Sequence, residues 1–173
     1  AGRVDTISWF IIGVCNYCWI MKDDEFLTEL LPNIEKGLKL LEAWEFNNND
    51  LLYVPRSGNW ADEYITEGHT FYDQVLRLWA LRCIHRLKPS DKFQTKIDRI
   101  TEKLNGNYRK STCQNPFHPK AYKQLEDTPY WMASVNPSGY QTMFDAFANS
   151  IAQLLQLGDA SFQKRLTSYS EEL

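Results

Sequence analysis

The sequence predicts an all-α protein built from helical hairpins, and three observations lead to that prediction. Apolar residues recur at helical spacing in the long segments, and neither a Gly-rich phosphate loop nor a strand-turn-helix unit is visible. Short and long connections alternate between the helices, as in stacked hairpins. With 173 residues and 43% hydrophobic side chains, the chain is long enough for a substantial core. We therefore predict a single helical domain over residues 1 to 173.

The first helix is predicted over residues 5 to 21, around the apolar run SWFIIGVCNYCWIM. This run has 14 residues, contains Asn16 and is followed by KDDE, whereas a membrane span needs about 20 apolar residues. We therefore predict a buried core helix and no membrane contact. A second helix is predicted over residues 24 to 46, with Pro32 starting its longer part and NNND ending it.

Four further helices are predicted in the rest of the chain. Thr70 is a suitable N-cap for a helix over residues 70 to 87, and Ser90 for one that runs through Lys103. Residues 105 to 138, rich in Asn, Pro and aromatic residues, are predicted to be a loop, with Trp131 the ring most readily placed in a cleft. The last two helices are predicted over residues 141 to 157 and 161 to 171.

Charge and cysteine content narrow the classes of function. The net charge is -3 and Lys and Arg are scattered, which argues against nucleic acid as a partner. Cys15 and Cys18 lie within an apolar helix, so we predict core packing rather than a zinc or redox site, and we predict no metal or organic cofactor. The absence of a disulfide pattern and of an N-x-S/T acceptor favours a cytoplasmic protein.

The loop SGNWADEYITEGH, at residues 57 to 69, places two carboxylates beside an indole ring. A carboxyl group that is partly desolvated by Trp60 would have a raised pKa and could act as a general acid. The alternative is that Asp62 and Glu63 cap a helix and face water. The local sequence leaves both interpretations open.

Three segments resemble segments of the neutral and alkaline invertases, in the same order. They are GRVDTISWFIIGVCNY at 2 to 17, GNWADEYITEGHTFYDQVLRLWALRC at 58 to 83, and WMASVNPSGYQTMFDAFANSIAQLLQLGD at 131 to 159. Those enzymes belong to the six-hairpin glycosidases, so the resemblance implies an (α/α)6 toroid with the active site in a funnel at one end. It also implies an inverting glycoside hydrolase, in which one carboxylic acid protonates the leaving oxygen and a second carboxylate activates water.

The resemblance also implies roles for particular residues. Asp62 matches the general acid of the family, Asp5 would hydrogen-bond sugar hydroxyls, and Trp9 would be a stacking wall. The complete set of substrate-binding residues that it implies is Asp5, Trp9, Trp60, Glu63, His69, Asn136 and Tyr140.

Departures from the invertase pattern change the substrate that we expect and the part of the toroid that we expect this chain to cover. GNWADEY stands where the invertases carry an Asp-Arg-Arg run, so we expect an α-glucosidase-like carbohydrate substrate rather than sucrose. The water-activating Glu of the family lies in a later hairpin, so we expect the base to lie outside this chain. We treat the sequence as a fragment covering about half of a toroid, which would pair with the missing part or self-associate.

Two other functions stay open at this point. One is a non-catalytic carbohydrate-binding or structural helical domain. The other is a different helical enzyme, such as a sugar epimerase, which would use pairs of histidines for proton transfer. The sequence holds three histidines, His69, His85 and His118, and we favour the glycoside hydrolase.

Overall fold

The computed structural model of the chain describes residues 3 to 46, 50 to 61, 66 to 111 and 113 to 173. Helices are the main elements within these ranges. The helices predicted over residues 5 to 21 and 70 to 87 are confirmed to within one residue. In chain order the helices are α1 (Asp5–Met21), α2 (Asp24–Ala43), α3 (Phe71–Leu87), α4 (Asp91–Asn107), α5 (Pro119–Lys123), α6 (Ala146–Leu154) and α7 (Ala160–Glu171).

The prediction of an all-α protein is wrong, because a three-stranded antiparallel sheet accompanies the helices. Its strands are β1 (His69–Thr70), β2 (Met132–Asn136) and β3 (Gly139–Phe144), in the order β1-β2-β3. Val135 in β2 pairs with His69 on one side and with Tyr140 on the other. The described chain is therefore a helical layer joined to a small sheet, and not a set of helical hairpins forming part of an (α/α)6 toroid.

The turn between β2 and β3 explains why this segment forms a hairpin. Pro137 and Ser138 connect the strands, and the Oδ1 atom of Asn136 accepts hydrogen bonds from the Ser138 backbone N–H at 3.0 Å and the Ser138 hydroxyl at 2.6 Å. An Asn side chain that bonds to its own chain two residues on closes a turn. Gly139 has a φ of +135°, which L side chains rarely adopt. The local sequence thus favours a turn where we predicted the end of a loop.

Helix α3 is the central element of the fold. It packs against α1, α4 and α6 and against β1 and β2, and its side chains are buried on nearly every side. That distribution is typical of a helix inside a fold. Three of its buried side chains are nevertheless polar, and each hydrogen-bonds to a segment outside the helix: Asp73, Gln74 and Arg77. These bonds position the segments around residues 50 to 61.

Helix α2 runs continuously through Pro32. It begins at Asp24, where the Oδ1 atom of Asp23 accepts a hydrogen bond from the Phe26 backbone N–H at 2.9 Å. This is an N-cap, which satisfies one of the otherwise unpaired N–H groups of the first turn. Our prediction that Pro32 starts the longer part of the helix is wrong, and α2 ends at Ala43 rather than at residue 46.

The C-terminal part departs from the sequence prediction in three places. Helix α6 begins at Ala146, not at residue 141, because Asp145 caps it by accepting from the Ala148 N–H at 2.9 Å. The predicted loop over residues 105 to 138 contains α5 and β2. Trp131, predicted to line a cleft, is fully buried and stacks on Phe71 with 5.3 Å between ring centroids. Trp131 therefore belongs to the core.

The first turns of α1, α3 and α6 meet at one end of the helical layer. The Oη atom of Tyr72, in α3, lies 3.3 Å from the Oδ2 atom of Asp5, in α1. The ring of Tyr72 also lies 5.5 Å from that of Phe147, in α6. Helix N-termini carry partial positive charge and favour carboxylates. This end of the helical layer is therefore suited to a functional site that contains carboxyl groups.

The N-terminal apolar run lies in α1. Cys15 and Cys18 are buried in α1 and carry free thiols, so their predicted core packing is confirmed. Over the described ranges, the chain contains no helix with the length and apolar character needed to cross a membrane.

Candidate functional site

Four aromatic side chains cluster where α1, α3 and α6 begin, and we term Trp9, Trp60, Tyr72 and Phe147 the aromatic platform. The ring of Phe147 lies 6.3 Å from that of Trp9, 5.7 Å from that of Trp60 and 5.5 Å from that of Tyr72. Tyr72 is buried, whereas Trp9, Trp60 and Phe147 are 36%, 44% and 42% exposed. Contiguous exposed apolar surface often marks a ligand-binding groove. Flat rings in contact offer such a surface to a sugar ring.

Asp5 lies beneath the aromatic platform and is buried. Its Oδ2 atom accepts hydrogen bonds from the Trp60 backbone N–H at 3.2 Å and from the Tyr72 hydroxyl at 3.3 Å. Tyr72 in turn accepts a hydrogen bond from the Nε1 atom of Trp9 at 3.0 Å. Burial raises the pKa of Tyr72 well above its usual range, so the phenol is a neutral donor. Asp5 thus organises the backbone and two of the rings.

Asp73 anchors the segment that carries Trp60. The Oδ2 atom of Asp73 accepts from the Asn59 side-chain amide at 2.8 Å and from the Thr70 hydroxyl at 2.6 Å. The Oδ1 atom of Asn59 accepts from the Ala61 backbone N–H at 3.1 Å. Thr70, predicted to cap α3 through its side chain, therefore bonds to Asp73 instead, although it does occupy the N-cap position. These contacts tie residues 59 to 61 to the first turn of α3.

The carboxyl group of Asp73 is strongly affected by its surroundings. Its pKa is raised to about 7, mainly by burial and also by the nearby carboxylates of Asp5 and Asp145, while the hydrogen bonds from Asn59 and Thr70 oppose the rise. Burial likewise raises the pKa of Asp145, against the lowering effect of backbone N–H groups at the start of α6. Three carboxyl groups therefore share a poorly hydrated region under the aromatic platform.

The predicted general acid, Asp62, and its neighbour Glu63 lie outside the described residues. The described chain stops at Ala61 and resumes at Thr66, and both of these residues are buried. Ala61 is held through Asn59, as described above. Ala61, the last described residue before this gap, directly follows Trp60 of the aromatic platform in the sequence.

His69 lines a cavity of about 300 Å³, which we term the second cavity because it is separate from the candidate surface at the aromatic platform. Its Nδ1 atom is 2.9 Å from the carbonyl oxygen of Leu52, and its ring contacts those of Tyr53 and Phe117. Burial lowers the pKa of His69, so the neutral ring is favoured, with Nδ1 as the donor to Leu52. The lining residues include no Asp, Glu, Lys or Arg and are Phe46, Tyr53, His69, Phe117, His118, Val135, Asn136 and Pro137.

Asn136 and Tyr140 take part in the structure of the hairpin. Besides closing the turn with its side chain, Asn136 accepts a hydrogen bond at its carbonyl oxygen from the Nε2 atom of His118 at 2.6 Å. The hydroxyl of Tyr140 lies 3.4 Å from the His118 backbone N–H, and its ring packs against Tyr122. Burial raises the pKa of Tyr140 to about 12. Both side chains already have partners within the protein.

The structure divides the predicted substrate-binding residues into two groups. Asp5, Trp9 and Trp60 meet at the aromatic platform. The second group, His69, Asn136 and Tyr140, surrounds β1 and the β2–β3 hairpin. Successive side chains of a strand point to opposite faces, and Thr70 bonds to Asp73 while His69 faces the second cavity. Strand β1 therefore separates the two groups.

Sequence reasoning missed Tyr72, Asp73 and Phe147. Asp73 had a recognisable signal, because it is an acidic residue directly after two aromatic residues at the start of a predicted helix. Tyr72 and Phe147 had none, since their role depends on how α3 and α6 pack against α1.

Neither a search for metal ligands nor a comparison with known proteins assigns a further role to these residues. Within the described ranges, no group of three or more His, Cys, Asp or Glu residues could hold a metal ion. A scan against protein-family models finds no match to the chain, and a search of curated proteins finds no match either.

Proposed function

We propose that this chain forms the sugar-binding and acid-bearing part of an inverting glycoside hydrolase, with Asp62 as the general acid. The observation that supports this proposal is the aromatic platform, whose exposed rings stand over Asp5 and include Trp60, two residues before Asp62 in the sequence. The resemblance of three segments to the neutral and alkaline invertases is consistent with it. An α-glucoside is the substrate class that we favour, because GNWADEY lacks the arginines expected for a fructosyl unit.

The proposed chemistry divides between the platform and the loop. Trp9, Trp60 and Phe147 would stack against the sugar, and the indole of Trp60 would reduce hydration of the neighbouring acid. A carboxyl group in such a place can stay protonated near neutral pH and donate its proton to the leaving oxygen. The water-activating base would come from outside this chain, and inversion would follow from attack on the face opposite the leaving group.

The test is hydrolysis of aryl α-glucosides whose phenols differ in acidity, by this chain combined with the part that supplies the water-activating base. We expect Asp62→Asn to lower the rate for phenyl α-glucoside by a factor on the order of 10² to 10⁴, because phenoxide is a poor leaving group without a proton. The loss should be much smaller for 2,4-dinitrophenyl α-glucoside, which needs little protonation. Asp127→Asn, at an exposed carboxylate, is the matched control.

Two results would count against this proposal. Equal losses for both glucosides would remove Asp62 from the role of acid. A product released with retained anomeric configuration, as read by proton NMR immediately after cleavage, would exclude the inverting mechanism.

A non-catalytic carbohydrate-binding domain is the second candidate, and one observation favours it. The described carboxyl groups under the platform are occupied: Asp5 bonds to Trp60 and Tyr72, Asp73 is buried, and Asp145 caps α6. We would then expect maltose binding in calorimetry with no hydrolysis of any aryl glucoside. Trp60→Ala should weaken that binding, while Trp19→Ala, an exposed ring at the other end of α1, should not.

We also propose a cytoplasmic location and self-association of the chain. Free thiols at Cys15, Cys18, Cys83 and Cys113 are consistent with a reducing cytoplasm. Self-association is supported by exposed apolar side chains in the second half of α1, including Tyr17, Ile20 and Met21. Sedimentation of the protein over a range of concentrations would test it.

A further inference from the structure

The second cavity is lined by rings that contact one another in a chain. The ring of Tyr53 lies 5.3 Å from that of Phe46 and 5.6 Å from that of His69. The ring of His69 lies 5.7 Å from that of Phe117. The angles between these neighbouring ring planes are 48°, 87° and 31°, so the rings form walls that face different directions. Such walls can hold a flat ring by both edge and face contacts.

The size and charge of the second cavity restrict what could bind there. Its volume of about 300 Å³ is at the lower end of the range for ligand pockets, roughly 300 to 1,000 Å³. No Asp, Glu, Lys or Arg lines it, and moving an ion from water to such a place is costly. The Nζ atom of Lys103 lies 5.7 Å from the Phe117 ring centroid, but Lys103 does not line the cavity. A small uncharged ligand therefore fits best.

Two polar atoms at this cavity have no hydrogen-bond partner among the described residues. Because Nδ1 of His69 donates to Leu52, the Nε2 atom of the neutral ring is an acceptor. The Oδ1 atom of Asn136 is bonded to Ser138, while its Nδ2 atom remains a donor. Solvent can reach both atoms, although both residues are buried. A hydroxyl group matches this pair, since it can donate to Nε2 and accept from Nδ2.

We propose that the second cavity binds a small uncharged phenol. The ring of the phenol packs against Phe46 and Phe117, and its hydroxyl bonds to His69 and Asn136. These two polar residues lie on neighbouring strands, because His69 in β1 pairs with Val135, the residue before Asn136 in β2. The sheet that separates the two groups of predicted residues thus carries the polar end of this site.

A monosaccharide suits the second cavity less well than a phenol does. Four of the eight lining side chains have no polar atom, and they are Phe46, Phe117, Val135 and Pro137. Hydroxyls surround a sugar ring, and those that meet such walls would be left without partners, which is costly. The exposed rings of the aromatic platform leave the outer hydroxyls of a sugar in water instead. The phenol site is therefore distinct from the proposed sugar site and does not depend on the proposed function.

An NMR titration of the whole chain with phenol tests the proposal at pH 7.5, above the lowered pKa of His69. We expect a Kd on the order of 1 mM, because so small a ligand makes few contacts. The amide resonances of His69 and Val135 should shift, and that of Trp60 should not. Benzoate and methyl α-glucoside, at the same concentrations, should leave all three unchanged.

His69→Phe separates the hydroxyl contact from the ring contacts. This variant keeps a ring in the wall but loses the acceptor, and the Leu52 carbonyl oxygen still accepts from Gln74 at 3.0 Å. Toluene has the ring without the hydroxyl, so the ratio of phenol affinity to toluene affinity should fall about three- to tenfold in the variant.

Phe46→Ala provides a second variant, at a side chain that is 52% exposed, in case His69→Phe does not fold. It should weaken the binding of phenol roughly three- to tenfold, while Trp60→Ala, at the aromatic platform, should not change it. The proposal is overturned if phenol leaves His69 and Val135 unshifted, if methyl α-glucoside or benzoate shifts them equally, or if both cavity variants bind phenol as the wild type does. Loss of sugar binding in Trp60→Ala would bear on the proposed function alone.

Discussion

At the scale of single residues, the two buried titratable groups on either side of β1 should affect stability in opposite directions. Burial raises the pKa of Asp73, so the folded state holds its proton and loses stability as the pH rises from about 4 to about 7. Burial lowers the pKa of His69, so the folded state prefers the neutral ring. The pH dependence of the whole protein contains both effects, and single variants are needed to separate them.

For His69 we predict a contribution to stability that is present above pH 6.5 and is lost as the pH falls below it. The unfolded chain takes up the proton more readily, so the slope is at most about 1.4 kcal/mol per pH unit. His69→Gln removes this titration. By calorimetry, the melting temperature of the wild type should exceed that of the variant by more at pH 7.5 than at pH 5.5. A difference that is the same at both pH values would contradict the prediction.

At the scale of elements, the long helices could be predicted and the sheet could not. Helix α3 has an apolar pattern over 17 residues, which is enough to identify it. Strands β2 and β3 have only five and six residues. The apolar residues next to them also fit a helix that begins at residue 141, so the helix was predicted in place of the end of β3. The deciding signals were local ones that we did not weigh: the turn at Asn136 and the cap at Asp145.

Asn149 links two of these elements, and its truncation should be costly. Its Oδ1 atom accepts from the Trp131 backbone N–H at 2.9 Å, and its Nδ2 atom donates to the Trp131 carbonyl oxygen at 3.0 Å. Asn149→Ala would leave these buried groups without partners, so we expect a loss of about 1 to 3 kcal/mol in the free energy of unfolding. Urea denaturation would measure it. Ser150→Ala, one residue further along α6 and exposed, should change stability little, and an equal loss would show that the bridge contributes nothing.

At the scale of the whole molecule, the candidate site depends on contacts between distant parts of the chain. The resemblance to the invertases identified Asp5, Trp9 and Trp60, which the structure brings together, although their role in binding sugar stays a prediction. Phe147 completes the platform from α6, and no pattern within its own segment indicates this. A single sequence gives least information on contacts between distant segments, so the sequence predicted only part of the candidate site.

Arg77, four residues after Asp73 in α3, also links distant parts of the chain. Its guanidinium group pairs with Glu45 and donates to the Asp50 carbonyl oxygen at 3.1 Å, and Lys96, from α4, bonds to both acidic side chains. Arg77 is 2% exposed, so this network is shielded from water. Removing one partner of a buried ion pair leaves the other charge poorly compensated. The network should therefore stabilise the packing of α3, α4 and the segment that follows α2.

We predict that Arg77→Met lowers the free energy of unfolding by about 3 kcal/mol, the lower end of the usual range because Lys96 still neutralises Glu45. Arg165→Met is the matched control, since Arg165 pairs with Asp127 at the surface and such pairs contribute about 1 kcal/mol or less. Urea denaturation at pH 7 compares the two variants. If both lose equally little, the central charges of α3 do not hold the fold together, and its apolar contacts alone must do so.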